Sequence, residues 1–432
     1  MASFFNYKIQ EFIIESLDGS KSIDATSCVA SIKYFEDLFS PSIFITMVLA
    51  NTDGLLTSLP IRGGERVRLK LYQEATNLYL SFEELKNPLY IYKVYGSTSE
   101  STREVFAIDL APAEVFSNET TRVFNRYPES GEGQLISDSV EKILNDVLKT
   151  NKVRQIERSA NSYSFYGNSK KPFGVLTWLC PKAIPTIGKS STTEGTAGFL
   201  FYENRDGYHF RSVDTLMGGL VPSSSDQSDF ITYYYDETAT NYASRSTNTK
   251  ILTIPTFERN ENVFENMRIG MYSSLNIFFD LNTKQYNEYQ YKLSDSYDTM
   301  KHVSSRSEKP KIPMDLENSP TRLMVGFIDT IVSSPLGTKV DAKFDERVKY
   351  QSQSVARYNL AFRQFLNITI PLNFNLKVGD VIRIDIGKIS KTSKEKDQEK
   401  SGLYLIKELA HDFSDIKGYT GLKLIRDSYG AR

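Results

Sequence analysis

The chain reads as an α+β protein that is mostly β, with two similar antiparallel β-barrel units flanking an α/β segment. Three observations predict this. A short strand phrase occurs twice, strict period-two alternation marks both copies, and helical periodicity is confined to the region between them. The first copy runs from Gly64-Glu65 into Val67-Arg68-Leu69-Lys70-Leu71 and, after a loop, into Leu89-Tyr90-Ile91-Tyr92-Lys93. The second runs from Gly379-Asp380 into Ile382-Arg383-Ile384-Asp385-Ile386 and then Leu403-Tyr404-Leu405-Ile406-Lys407. Each closes on a further strand, Val105 to Leu110 or Leu422 to Asp427. Alternation places aliphatics on one face and Arg, Lys or Asp on the other, as a half-buried antiparallel strand requires.

From Tyr7 to about Leu110 nearly every segment is strand-like, including Lys8 to Ile14, Val29 to Phe35 and Ile43 to Leu49. Asp18-Gly19, Asp53-Gly54 and Gly63-Gly64 supply turn residues that tolerate positive φ. The pattern then changes. Ser137-Asp138-Ser139 is placed to cap a helix in which Val140, Ile143, Leu144 and Val147 recur at helical spacing. A second helix is expected from Pro172 through Leu179, ending before Pro181. Phe199 to Phe210 predicts a hairpin around Asn204-Arg205-Asp206-Gly207. Between Ser223 and Asn318 the chain is polar and Tyr-rich, with strands expected at Ile251 to Ile254 and Leu275 to Phe279. Ser304 to Pro320 reads as a connector. Leu323 then opens the last β-region, which passes through Phe365 to Pro371. The boundaries expected are 1–115 for the first barrel, 116–212 for the α/β domain, 213–318 for the Tyr-rich region and 319–432 for the second barrel.

Composition narrows the function classes. The 432 residues can bury more than one core, and 52 basic against 53 acidic residues give no support to a basic nucleic-acid grip. Cys28 and Cys180 are too few for a disulfide framework and are expected to be buried thiols. No run approaches the roughly 20 apolar residues of a membrane span, and the N-terminus lacks a signal-peptide pattern, so neither secretion nor membrane insertion is expected. The aromatics are 26 Tyr and 26 Phe but a single Trp, Trp178, which favours sheets and subunit interfaces.

Motifs for chemistry are mostly missing. His209, His302 and His411 have no metal-ligand spacing, and there is no nucleophile elbow, phosphate loop or dinucleotide fingerprint. Asn204-Arg205-Asp206-Gly207 lacks the Glu that completes a calcium loop and reads as a turn. His209 is expected to be packed or hydrogen-bonded. Accordingly no catalytic, cofactor-binding or metal-binding residues are assigned, and no enzyme activity or cofactor is expected. The loops Tyr72 to Asn87 and Lys391 to Lys400 hold equivalent places in the two copies yet differ in sequence, so they are expected to meet different neighbours or to have drifted.

Taken with Pro172 to Leu179, Phe199 to Tyr208, Gly270-Met271-Tyr272-Ser273-Ser274 and Ile425-Arg426-Asp427-Ser428, the repeat resembles the central baseplate hub protein of T-even-type contractile-tailed phages. It is more distantly similar to the hub part of the valine-glycine-repeat spikes of type VI secretion. The resemblance spans most of the chain in the family's order. It implies a homotrimer with two tube-type barrels per subunit, joining a trimeric spike or tail lysozyme protein to the sixfold tail tube or its initiator. The ring would form a channel for the tape-measure protein and for DNA in transit. Such a protein would reside in the virion baseplate and assemble in the host cytoplasm. Arg68, Lys70, Arg383 and Asp385, on the polar faces of equivalent strands, are expected to line the channel or bridge adjacent barrels; solvated sheet positions would look the same. Two other readings are a type VI or tailocin hub, disfavoured by a chain ending soon after its last strand, and a cell-wall glycosidase, whose paired carboxylates need no fixed spacing.

Overall fold

Among the described residues, fourteen strands hydrogen-bond into one sheet that contains both copies of the repeated phrase. The computed structural model describes residues 4–52, 54, 59–83, 87–100, 103–129, 134–186, 195–219, 230–235, 247–259, 261–281, 284–304, 309–328, 344–388, 396–414 and 417–428. It is mostly β, at 47% strand and 21% helix. A first set of six strands lies side by side in the order Lys8–Glu15, Arg66–Gln73, Leu89–Glu100, Arg103–Pro112, Phe44–Thr52, Val29–Asp37. A second set repeats that order with Thr232–Tyr235, Val381–Ile386, Gly402–Ser414, Lys417–Arg426, Gln364–Pro371 and Thr256–Arg259. One flank differs. Lys8–Glu15 is antiparallel to Arg66–Gln73, whereas Thr232–Tyr235 is parallel to Val381–Ile386.

The duplication extends to single hydrogen bonds. The Gly64 N–H donates to the Ile91 carbonyl and the Ile91 N–H to the Glu65 carbonyl, while Gly379 N–H donates to Ile406 and Ile406 N–H to Asp380. The offset is 315 in each case, from 64 to 379, 65 to 380 and 91 to 406. Register follows suit: Arg66 lies opposite Tyr90 and Val381 opposite Leu405, and a bulge interrupts the ladder after Ile91 and again after Ile406. Gly64 and Gly379 both sit at positive φ, +97° and +92°, where a side chain is strained.

Inward-facing apolar side chains from both sets, among them Phe12, Ile45, Leu110, Leu366, Ile384 and Leu424, form one continuous core. A second core underlies the α/β segment, where Val140, Ile143 and Leu144 meet Phe173, Leu176, Phe199 and Phe210. There the hairpin Phe199–Asn204 and Gly207–Ser212 turns through Arg205-Asp206, and Arg154–Ile156 adds a parallel strand. The helix Pro172–Leu179 lies where expected, and a single 3-10 turn, Cys180–Lys182, takes up Pro181. Cys28 and Cys180 are buried free thiols. Among the described residues no helix is long and apolar enough to cross a membrane.

Several expectations are corrected. The first helix spans Ile136–Lys142 with Leu135 at its N-cap and runs on into a π turn, Ile143–Val147. Ser137 and Ser139 are therefore buried inside it and do not cap it. Ile251 to Ile254 is not a strand: Ile251 and Leu252 donate to Tyr234 and Thr369, and the ladder with Gln364–Pro371 starts only at Thr256, after Pro255, which has no N–H to give. The strand that carries Leu323, Arg322–Ile328, pairs in parallel with Ser273–Asp280 and not with the last β-region, while Thr232–Tyr235 and Thr256–Arg259 leave the Tyr-rich region to join the second set. Between Arg322–Ile328 and Gln364–Pro371 in the chain lies an unexpected helix, Phe344–Ala361. Its buried face carries Ser352, Ser354 and Arg357 beside Ala356 and Leu360, which blunts the apolar period. The Tyr72 to Asn87 loop contains a strand, Leu78–Phe82, that pins Leu80 and Phe82 into the core. Residues 391–395 of its counterpart lie outside the described residues.

A Cβ at Gly379 would lie 2.6 Å from the hydroxyl oxygen of Tyr202, which is buried, whereas one at Gly64 would lie 2.9 Å from the exposed Leu17 side chain. Gly379→Ala is therefore expected to destabilise the chain by roughly 2 kcal/mol, strain and clash together, and Gly64→Ala by less. Thermal unfolding of the two variants side by side measures the difference, and equal midpoints would contradict it.

Candidate functional site

One strand holds the two sets together. From Leu405 to Ser414 the strand Gly402–Ser414 keeps Lys417–Arg426 along one edge, but its other edge changes partner at the bulge beside Lys407. Before the bulge it pairs with Val381–Ile386, and from Glu408 to Ser414 it pairs with Val29–Asp37 of the first set. The Lys407 carbonyl accepts the Leu38 N–H at 2.8 Å, and its ammonium lies 3.3 Å from Asp37.

Alternation in the first set turns Ile32, Tyr34, Glu36 and Leu38 inward, so a carboxylate enters the core at this junction. Three donors meet it. Tyr34 Oη donates to Glu36 Oε1 at 2.6 Å, the Arg205 N–H to the same oxygen at 2.8 Å, and the Val378 N–H to Oε2 at 2.9 Å. Glu36 thus links the first set, the α/β hairpin and the turn that opens the second copy. Burial pushes its carboxyl up to about 7 against the pull of those hydrogen bonds. Gln73, fully buried at the end of its strand's inward row, makes a second tie: its amide donates to Leu372 at 2.5 Å and accepts from the Phe374 N–H at 2.9 Å.

Two buried ionic clusters complete the framework. Lys152 pairs with Glu114 at 2.9 Å and with Glu203, whose other oxygen accepts the Ile43 N–H. Arg357, fully buried on the Phe344–Ala361 helix, lies 3.0 Å from both Asp214 and Asp427. Burial raises the Asp427 carboxyl, but the His302 hydrogen bond and the Arg357 charge outweigh it and bring it to about 2. Sequence reasoning gave none of these residues a part in such a framework. For Glu36 and Gln73 the available signal was a polar side chain on the inward side of an alternating strand.

The four charged residues singled out in the sequence occupy matched positions but different surroundings. Arg68 reaches across to Glu15 at 3.1 Å and Glu11 at 3.6 Å, and the Lys70 ammonium lies over the Tyr79 ring. Arg383 lies 3.5 Å from Asp385, which is buried and also takes Lys396 at 2.6 Å. Arg68 and Lys70 thus each contact neighbours within the first set, whereas Arg383 and Asp385 contact each other in the second.

The histidines are far apart in role. His209, stacked on Tyr202 and bonded to Asn204, is held down to about 4 by burial; His411 bonds to Thr420 and is pushed down to about 3. His302 contacts Asp427. Among the described residues no three His, Cys, Asp or Glu side chains converge on a metal position. Chemistry at the surface is of another kind. On the Ser273–Asp280, Gln285–Lys292 and Arg322–Ile328 sheet, polar Ser274, Asn276 and Asp280 face inward, while Phe279, Leu323, Val325 and Phe327 are exposed. An apolar face turned to solvent marks a contact surface. A second exposed apolar stretch is the strand segment bearing Tyr92, Val94 and Tyr95.

No family model matches the chain, and no curated protein matches it. Solved structures do. A tail protein from Neisseria meningitidis MC58 aligns over 98% of this chain and 97% of its own at a TM-score of 0.51 and 10% identity. The fold is that of phage tail proteins. The 43 kDa tail protein of prophage MuSo2 from Shewanella oneidensis aligns over 97% and 98% with a TM-score of 0.50 and 8% identity. In all these cases sequence identity is far below the range in which activities transfer, so what this phage-tail fold shares with them is its chain path.

Because Glu36 binds its proton more tightly in the folded chain, with a value of about 7 against 4.5 when free, the folded state holds more protons between those values. Its contribution is full below about pH 4.5 and is lost as pH rises through 7, a span worth roughly 3 kcal/mol. Thermal midpoints from pH 5 to 8 are expected to fall more steeply for the natural chain than for Glu36→Gln. Identical slopes would show that Glu36 does not titrate there.

Proposed function

We propose that this chain is the structural hub of a contractile-tail baseplate, a homotrimer that joins a trimeric spike to a sixfold tail tube. One observation carries the reading: two strand sets with the same backbone hydrogen bonds, 64 to 91 and 379 to 406, are joined edge to edge in a chain with a phage tail protein fold. In this reading each set forms a tube-type barrel. Three copies then present six similar units, so threefold closed symmetry imitates sixfold symmetry on one side of the ring. The division at 115 and 212 serves the first barrel and the α/β domain. The second barrel draws Thr232–Tyr235 and Thr256–Arg259 as well as the chain after Gln364.

The ring would enclose a channel for the tape-measure protein and, in transit, DNA. Its partners are the spike or tail lysozyme protein on one side and the tube or tube initiator on the other. It works in the virion tail after assembly in the host cytoplasm, making and breaking no covalent bond. The outward apolar face of the Ser273–Asp280 sheet supports a protein that functions in contact with others. Arg68, Lys70, Arg383 and Asp385 are proposed to line the channel or bridge barrels, with Arg68 and Lys70 on the more exposed strand.

Native mass measurement of the purified chain, alone and with its candidate spike, is expected to give three times the 49.2 kDa chain mass in at least one condition. A monomer in both would sink the hub reading. Replacing both Arg383 and Asp385 with Ala is expected to weaken ring assembly or tube docking, and unchanged behaviour in both assays would remove those residues from the proposal.

A further inference from the structure

Two ammonium groups beside the helix Pro172–Leu179 have no carboxylate to answer them among the described residues. Lys170 comes just before the helix, and Lys182 lies in the 3-10 turn that follows it. Both reach over the ring of Trp178, the single tryptophan of the chain, at 5.4 Å and 4.1 Å from its centroid. Lys182 also lies 6.0 Å from the Tyr163 ring and donates to the Trp178 carbonyl at 3.2 Å. Nearby lysines are treated differently: Lys171 is paired with Glu119, and Lys152 with Glu114 and Glu203.

A lysine after a helix commonly solvates its last carbonyls, and the Trp178 contact alone would fit that role. Capping calls for neither a second ammonium over the same ring nor a half-buried one, since a capping lysine keeps its charged head in water. Lys182 is half-buried. Burial first, and then the Lys170 charge, push its amine down to about 8. That is the direction for a cation that has lost water and gained no counter-charge.

The floor of the site is aromatic. Trp178 meets Tyr163 and Phe165 edge-on at 5.7 Å and 5.5 Å, and Phe165 stacks on Tyr127 at 5.2 Å. Tyr127 and Phe165 are buried, Tyr163 and Trp178 half-buried and Lys170 exposed, so the site opens to solvent. We propose that Trp178, Lys170 and Lys182 form a docking site for an acidic segment of a partner protein, whose carboxylates meet the two ammoniums while its chain lies against the indole. Charge complementarity favours such a segment over a nucleic-acid backbone. Glu119 already holds Lys171, so the cationic track stops at two charges, short of the row of phosphate contacts that nucleic-acid binding draws on. The site is built within one chain and does not depend on the number of copies in the hub.

Because Trp178 is the only tryptophan, its emission reports this site. The whole chain is titrated at low salt and neutral pH with pentaglutamate, with pentaglutamine and with a short oligothymidylate. Pentaglutamate is expected to change the emission saturably, and less so as salt is raised, while pentaglutamine leaves it unchanged. Replacing Lys170→Met and Lys182→Met together is expected to weaken binding roughly ten-fold or more. Lys182→Arg, which keeps the charge, is expected to retain it. Salt dependence and the pentaglutamine control are read on the natural chain, so the result stands even where the double variant is unstable. No saturable response to pentaglutamate overturns the site. An equal response in the folded double variant overturns the role of the lysines, and tighter binding of oligothymidylate overturns the acidic partner.

Discussion

The arrangement of this chain depends on how a buried carboxylate is satisfied at the junction of its parts. Glu36 lies in the core and accepts hydrogen bonds from its own strand, from the α/β hairpin at Arg205 and from Val378 at the entry to the second copy. Apolar contact is non-directional, so the shared core would tolerate a range of relative placements. Three donors on one carboxylate tolerate few, because any displacement leaves a buried polar group unpaired. Gln73 repeats the device from the opposite end of the first set by bonding both backbone groups near Leu372 and Phe374. Polar ties set the geometry that the core then stabilises.

Around that junction the two copies have kept their backbone and changed their surroundings. Glycines at positive φ, paired carbonyls and bulges recur at one constant offset. The flanking strand, by contrast, is antiparallel in one copy and parallel in the other. Outward charges have followed the neighbours: Arg68 answers Glu11 and Glu15 on its flanking strand, whereas Arg383 turns to Asp385 beneath a strand of tyrosines. Conservation of the ladder with divergence of its margins is what two similar units need when each must meet a different partner.

Much of this was legible in the residues. Period two exposed the strands of both copies, and Gly64-Glu65 and Gly379-Asp380 marked their equivalent turns. Helix Pro172–Leu179 was readable because proline opens it and proline follows it. What stayed hidden had no local signal. The Phe344–Ala361 helix buries Ser352, Ser354 and Arg357, so its inward face does not look apolar. Parallel pairing of Thr232–Tyr235 with Val381–Ile386 depends on a partner far along the chain. Arg322–Ile328 is apolar enough to read as a strand, but that does not name the sheet, and Leu323, Val325 and Phe327 face solvent. The junction residues lay just past the ends of obvious strands, where Glu36 and Gln73 continue an inward row with polar atoms.

The long strand that joins the two sets also fixes an order of events during synthesis. Val29–Asp37 emerges early, yet its edge partner is Gly402–Ser414, far along the chain. Pairings of such high sequence separation form slowly, so the first set must wait with one edge uncovered and with Glu36 short of two of its donors until the remainder has been made. Lys33 on that edge is the kind of charge that discourages pairing with the wrong strand in the interval. Completion of the first unit thus waits on a strand made more than 350 residues later, and until then its junction stays open.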